Sequence, residues 1–110
     1  MALFITYASY SPDGIKGLMA KPEDRTAAIG KLAAKVGAKV VALYNTTGSN
    51  DVVVVTEGAS VSDAAAISMA VSASGAIARV ETVSAWTGAD FAAVAKKAGS
   101  LTGAYTPPGG

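Results

Sequence analysis

The side chains able to do chemistry in this 110-residue chain are few, and most of them lie in or beside β-rich runs. Tyr7, Tyr44 and Trp86 each join a large apolar body to one polar handle, a combination that suits a core, an interface or a pocket. Arg79 and Glu81 are two residues apart in such a run, so their side chains share one face. If that face meets a second subunit, the plain role for the two is an inter-subunit ion pair. In a pocket, Glu81 shielded from water would instead serve as a base. Asn50 ends the turn Thr47-Gly48-Ser49-Asn50, and Asp51 opens the strand that follows it. Asn tolerates left-handed backbone and Asp accepts from neighbouring amides, so both are turn residues first and ligand-binding candidates second. A Tyr7 hydroxyl beside Arg79 would be the best electrophilic corner this composition can build. Tyr7, Tyr44, Arg79, Glu81 and Trp86 are therefore expected to line a small-ligand pocket between a sheet and its helices. No residue is assigned a catalytic role.

The absences are equally informative. There is no Cys, which excludes disulfides, thiol nucleophiles, iron–sulfur clusters and cysteine zinc sites. There is no His, which excludes imidazole as base, haem ligand or metal ligand. No metal site and no cofactor are expected. The net charge is +1, whereas nucleic-acid binders draw much of their affinity from a basic excess. Six of the nine basic residues fall between Lys16 and Lys39, but Glu23 and Asp24 interleave them, as on a solvated helix face. Nucleic acid is rejected as a partner. So is a membrane: no stretch approaches the roughly 20 apolar residues needed to span one, and the first residues lack the basic start of a signal peptide. The expected location is the cytoplasm.

The elements that must position these residues read clearly. Leu3 to Ser9 is apolar on both alternations, with Leu3, Ile5 and Tyr7 on one side and Phe4, Thr6 and Ala8 on the other, as in a strand covered on two faces. Ser11-Pro12-Asp13 supplies an N-cap, a first-turn proline and an acid for a helix. Pro22 interrupts it, and a second helix with Ile29, Leu32 and Val36 on its apolar stripe runs to Gly37. Val40 to Tyr44 and Val52 to Thr56 are two strands joined by the glycine turn. Ser60 and Asp63 have the spacing of a capping box for a helix that ends near Gly75. Ile77 to Trp86 is a fourth strand. Thr87 and Asp90 repeat the cap spacing for a last helix with Phe91 and Val94. Residues 1–99 form the domain, and residues 100–110 a flexible or partner-clasping tail.

The expected fold is thus α+β: a ferredoxin-like βαββαβ order with a four-stranded antiparallel sheet and a C-terminal helix. Two main helices cover one face of such a sheet, yet the first and third strands are apolar on both. A second copy is the simplest cover for the other face, because leaving it wet would forfeit several kcal/mol at about 25 cal/mol per Å². With only 15% charged residues, the chain has little to dress that surface with.

Phe4-Ile5-Thr6-Tyr7-Ala8-Ser9-Tyr10 followed by Gly14-Ile15-Lys16 resembles the opening of the GYD-domain proteins. Gly37-Ala38-Lys39, the run Tyr44 to Asp51, and Arg79-Val80-Glu81-Thr82 fit in order and spacing. The resemblance covers residues 2 to about 95. It implies a small bacterial protein with the dimeric α/β-barrel version of the fold, and no settled reaction. One departure is plain: Asn50 stands where the signature tyrosine is expected, so no role of that ring carries over. Two functions follow. One is an oligomeric protein that binds a small apolar or aromatic molecule or supports an assembly. The alternative is a cofactor-independent enzyme of oxygenase, isomerase or cyclase type, acting on a small aromatic or polyketide-like substrate. An RNA-recognition domain shares the element order but needs stacking aromatics where the third strand has valines.

Overall fold

The computed structural model describes residues 2–110. The elements run β1 (Leu3–Tyr10), α1 (Pro12–Ala20), α2 (Thr26–Ala34), β2 (Lys39–Asn45), β3 (Val52–Glu57), α3 (Val61–Ala73), β4 (Ile77–Ala85) and α4 (Gly88–Gly99). A short 3₁₀ turn over Thr102–Ala104 follows. Their ends carry the chemistry that stops and starts them. Ser11 caps α1 by accepting from the Gly14 amide, with Pro12 next in line. Ser60 and Asp63 form a full capping box on α3. Gly37 and Gly75 take left-handed φ values of 72° and 81° just past α2 and α3, where a side chain would be strained.

The four strands form one antiparallel sheet in the order β2-β3-β1-β4. Element order and strand order together are those of the ferredoxin-like α+β arrangement. Register fixes which residues share a face. Thr6 stands opposite Val54 and Thr82, and Tyr7 opposite Val53 and Glu81. Even-numbered β1 residues face α2 and α3, where Phe4 and Ala8 are buried. Odd-numbered β1 residues look out from the other side.

The core is small and made of small side chains. The buried set is Phe4, Ala8, Ala33, Ala38, Val52, Val54, Ala59 and Ala64, and five of these eight are alanines. On the far face no helix lies over Ile5, Tyr7, Val53 and Val55, which are half-buried only by one another and their neighbours. Tyr44 at 66% and Val41 at 52% exposure continue that face into β2, Val41 at a register shift beside Ala42.

The last helix is separate in character. Every residue from Trp86 to Gly110 is exposed, and α4 buries nothing. Its Phe91, Val94 and Ala98 recur at helical spacing on one side, with Trp86 meeting Phe91 edge-on at 5.7 Å between ring centres. The molecule is accordingly long, 58 × 33 × 23 Å, with a radius of gyration of 17.5 Å where a compact domain of this length has about 13 Å. Its accessible surface is 7413 Å², about a third above the roughly 5,500 Å² of a compact chain of this mass. The fold holds more surface in water than a compact chain of its mass does.

Candidate functional site

Between the sheet and the pair α2/α3 lies a cavity of about 320 Å³. It exists because the facing side chains are short: Ala28 and Ala33 on α2, Ala64 and Ser68 on α3, and Ala8 on β1 hold the layers apart without filling the gap. Phe4, Val52, Val54, Ile67 and Val80 make the rest of the wall largely apolar. Hydroxyls of Thr6, Tyr10, Thr56, Ser68, Ser74 and Thr82 interrupt it, and three of them cluster. Thr82 Oγ1 shares hydrogen bonds of 3.0 Å with Thr6 Oγ1 and with Ser68 Oγ, so β1, β4 and α3 meet in one polar spot. The three hydroxyls supply three protons and six lone pairs, and two bonds use only part of that capacity.

At the other end, Tyr10, Arg25 and Ala76 line the cavity and also border a shallower outer groove, which makes them its mouth. Arg25 is set by the turn into α2: Asp24 Oδ1 accepts from the Thr26 amide at 2.8 Å, and the Arg25 guanidinium pairs with Glu23 at 2.6 Å. Hydrogen bonding from the Thr26 side chain, then from its backbone, holds the Asp24 carboxyl below its usual value despite a small opposing cost of desolvation. Arg25 and Glu23 are the one ion pair among the described residues.

The residues singled out from sequence fall elsewhere. Tyr7, Tyr44 and Glu81 stand in one row across the bare face, Tyr44 opposite Val53, Val53 opposite Tyr7, and Tyr7 opposite Glu81. Arg79 lies in the next row, opposite Ser9. The expected pocket of Tyr7, Tyr44, Arg79, Glu81 and Trp86 between sheet and helices is therefore corrected: none of the five lines the cavity. Alternation is the reason. Tyr7 is in phase with Leu3 and Ile5, and the helices cover the opposite phase. Trp86 lies past the end of β4 against Phe91, away from the row.

Three of the singled-out residues do come together, at the end of the bare face. Arg79 Nη2 donates to Ser49 O and to Asn50 Oδ1, both at 2.9 Å. Ser9 Oγ donates to the same Ser49 carbonyl at 2.8 Å. Asp51 Oδ2 accepts from the Tyr10 amide at 2.9 Å, and the Asp51 amide donates to Ala8 O at 2.8 Å. This corner docks the β2–β3 turn onto β1 and β4, and Arg79 is engaged by that turn rather than by Glu81. Asp51→Ala, which strips the acceptor from the Tyr10 amide, is expected to lower stability by about 1–2 kcal/mol. Urea unfolding would show this as an earlier midpoint with an unchanged slope.

The hydroxyl trio and Arg25 were absent from the sequence-derived site. A signal for the trio existed: Thr6 shares the alternation of Phe4 and Ala8, Thr82 that of Val80, and Ser68 follows Ala64 by one helical turn. No motif announces Arg25, whose place at the mouth depends on how α2 sits on the sheet. Among the described residues no group of three or more acidic, His or Cys side chains could hold a metal ion. No helix among the described residues is long and apolar enough to cross a membrane.

A four-stranded antiparallel sheet, helices on one side and a small-residue cavity beneath them define an α+β domain with a single-sided layer. The GYD domain is matched over residues 4–95, and the chain belongs to that family. Its fold is similar to the crystal structure of TTHA0845 from Thermus thermophilus, at 18% identity and a TM-score of 0.50, over 79% of this chain and 95% of that one. FFRP-DM1 is similar at 18% identity and a TM-score of 0.47, over 78% of this chain and all of that one. Comparison with curated proteins yields no match.

Proposed function

We propose that this GYD protein is a homodimer whose subunits each hold one small, largely apolar molecule between sheet and helices. The carrying observation is the cavity. Its volume of about 320 Å³ lies at the lower end of the roughly 300–1,000 Å³ typical of ligand sites. Its wall is apolar, with one hydroxyl cluster able to orient a guest. Among its lining residues there is no carboxylate, and the chain has no His or Cys, so no strong general base faces a guest. That favours binding over the cofactor-independent enzyme, which needs a proton acceptor. The row of Tyr7, Tyr44 and Glu81 belongs to the second part of the proposal, the pairing surface.

Pairing rests on the bare sheet face and on the surplus surface. A stable dimer buries about 800 Å² per partner, and the excess over a compact chain is more than twice that. Two bare faces stacked on each other would dry Ile5, Val53, Val55 and Val83, with Glu57, Glu81 and Lys39 toward the edges. The α4 arms would then lie along the partner, laying Phe91 and Val94 on it.

Native mass spectrometry of protein released under non-denaturing conditions tests both parts together, since it reports subunit number and retained guest. Two subunits with up to two guests are expected. Ser68→Phe, whose ring would occupy the cavity floor, is expected to cut guest retention at least tenfold, about 1.4 kcal/mol, with the dimer unchanged. Equal retention by this variant would remove the cavity from the account.

A further inference from the structure

We infer that the guest is a phenolic carboxylic acid, a single aromatic ring with a hydroxyl at one end and a carboxylate at the other. This rests on the cavity being a ligand site and deepens that reading. Two polar features lie at different depths in a largely apolar space, where the Ser74 hydroxyl is already bonded to Val71 O and the Ala76 amide and Thr56 lies past the trio, opposite Phe4. One is the hydroxyl trio at the level of Thr6. The other is Arg25, at the mouth beside Tyr10. Thr6 and Tyr10 are four residues apart on β1, about 13 Å along the strand. Arg25 lines the cavity at its rim, and one ring with a polar group on either side spans the distance from there to the trio.

The chemistry of each end selects its partner. Hydroxyls that both donate and accept suit a group that does the same, and a phenol joins the trio without leaving a lone pair or proton stranded. A guanidinium presents a fork that matches a carboxylate with two parallel bonds. Arg25 already holds one carboxylate, that of Glu23, but the two side chains are 38% and 43% exposed. Exposed pairs contribute only about 0–1 kcal/mol, so an incoming carboxylate displaces Glu23 at little cost. Of the two cations that border the outer groove, Lys21 and Arg25, only Arg25 also lines the cavity. The apolar walls between the two ends fit a ring and penalise a charge placed midway.

The test is calorimetric titration with three probes: 4-hydroxycinnamate, its methyl ester, and cinnamate. The wild-type protein is expected to bind the hydroxy acid at least tenfold tighter than either other probe. In Arg25→Gln the advantage over the ester should vanish while the ester's own affinity stays put. In Thr82→Val the advantage over cinnamate should vanish while cinnamate's affinity stays put. Equal binding of acid and ester by the wild type would overturn the Arg25 contact, and equal binding of hydroxylated and plain acid would overturn the phenol contact. Either result leaves the cavity standing as an apolar site. Should none of the three probes bind, the phenolic-acid assignment falls, and the retained mass in the native spectrum then decides separately whether the cavity holds any guest.

Discussion

Ile5→Asp is expected to turn the proposed dimer into a monomer. Ile5 sits in the middle of the bare face, opposite Val55 on one side and Val83 on the other. In a separate subunit the new carboxylate stays in contact with water, because no helix covers that side. In the dimer, symmetry would bury two carboxylates among valines, and the short Asp side chain cannot reach the rim. An unpaired charge in such surroundings costs several kcal/mol. A loss of about 4 kcal/mol is a thousandfold in association. Sedimentation velocity at micromolar concentration should show a single slow species with wild-type circular dichroism. Because Asp is a poor strand residue, Val83→Asp on the edge strand is the second variant, with the same outcome expected. If both variants keep the dissociation constant of the wild type, the subunits do not meet through this face.

Gly14→Ala is expected to be among the most damaging single-methyl changes in the chain. In a helix, Ala is normally the better residue by about 1 kcal/mol. Here a Cβ on residue 14 would run into the Ala76 carbonyl oxygen and lie 3.0 Å from its carbon, both backbone atoms. The close approach is built by the start of α1: the Ser11 amide donates to Ala76 O at 2.9 Å and the Ser11 hydroxyl donates to Gly75 O at 2.6 Å. To relieve the clash, α1 must leave the turn before β4 and break both bonds. Overpacking of this kind costs typically 1–3 kcal/mol and sometimes more. Two lost hydrogen bonds add to that and outweigh the gain in helix propensity. A fall in melting temperature of roughly 10 °C or more is expected, at about 4–8 °C per kcal/mol for a domain near this size. A melting temperature equal to or above that of the wild type would show that α1 is not held against Ala76.

Much of the architecture is legible in the chain because its punctuation is local. Ser11-Pro12, Gly37, the Ser60/Asp63 box, Gly75 and Thr87 fix where helices start and stop by satisfying backbone groups within a few residues. The site was harder to read, for a reason visible in β1 and β3. When both alternations of a strand are apolar, period alone cannot say which the helices cover. Tyr7 and Arg79 draw the eye as reactive side chains, yet the phase of Phe4 and Ala8, with Thr6 between them, is the one turned inward. Threonine and serine on that phase look like tolerated core residues until β1, β4 and α3 bring them within hydrogen-bond reach. Asn50 and Asp51 lie at the turn, as read, but their side chains bond far along the chain, Asp51 to the Tyr10 amide across 41 residues and Asn50 to Arg79 across 29. For α4, the spacing of Phe91 and Val94 declares an apolar side without naming what rests against it.

The alanine-lined gap under the helices has a mechanical consequence as well. Unfolding abolishes internal voids, so an empty fold of this kind shrinks in total volume when it opens, and hydrostatic pressure drives it that way. A guest that fills the space removes most of the volume change. The same short side chains that would make room for the proposed guest therefore make the chain easier to unfold under pressure without that guest than with it.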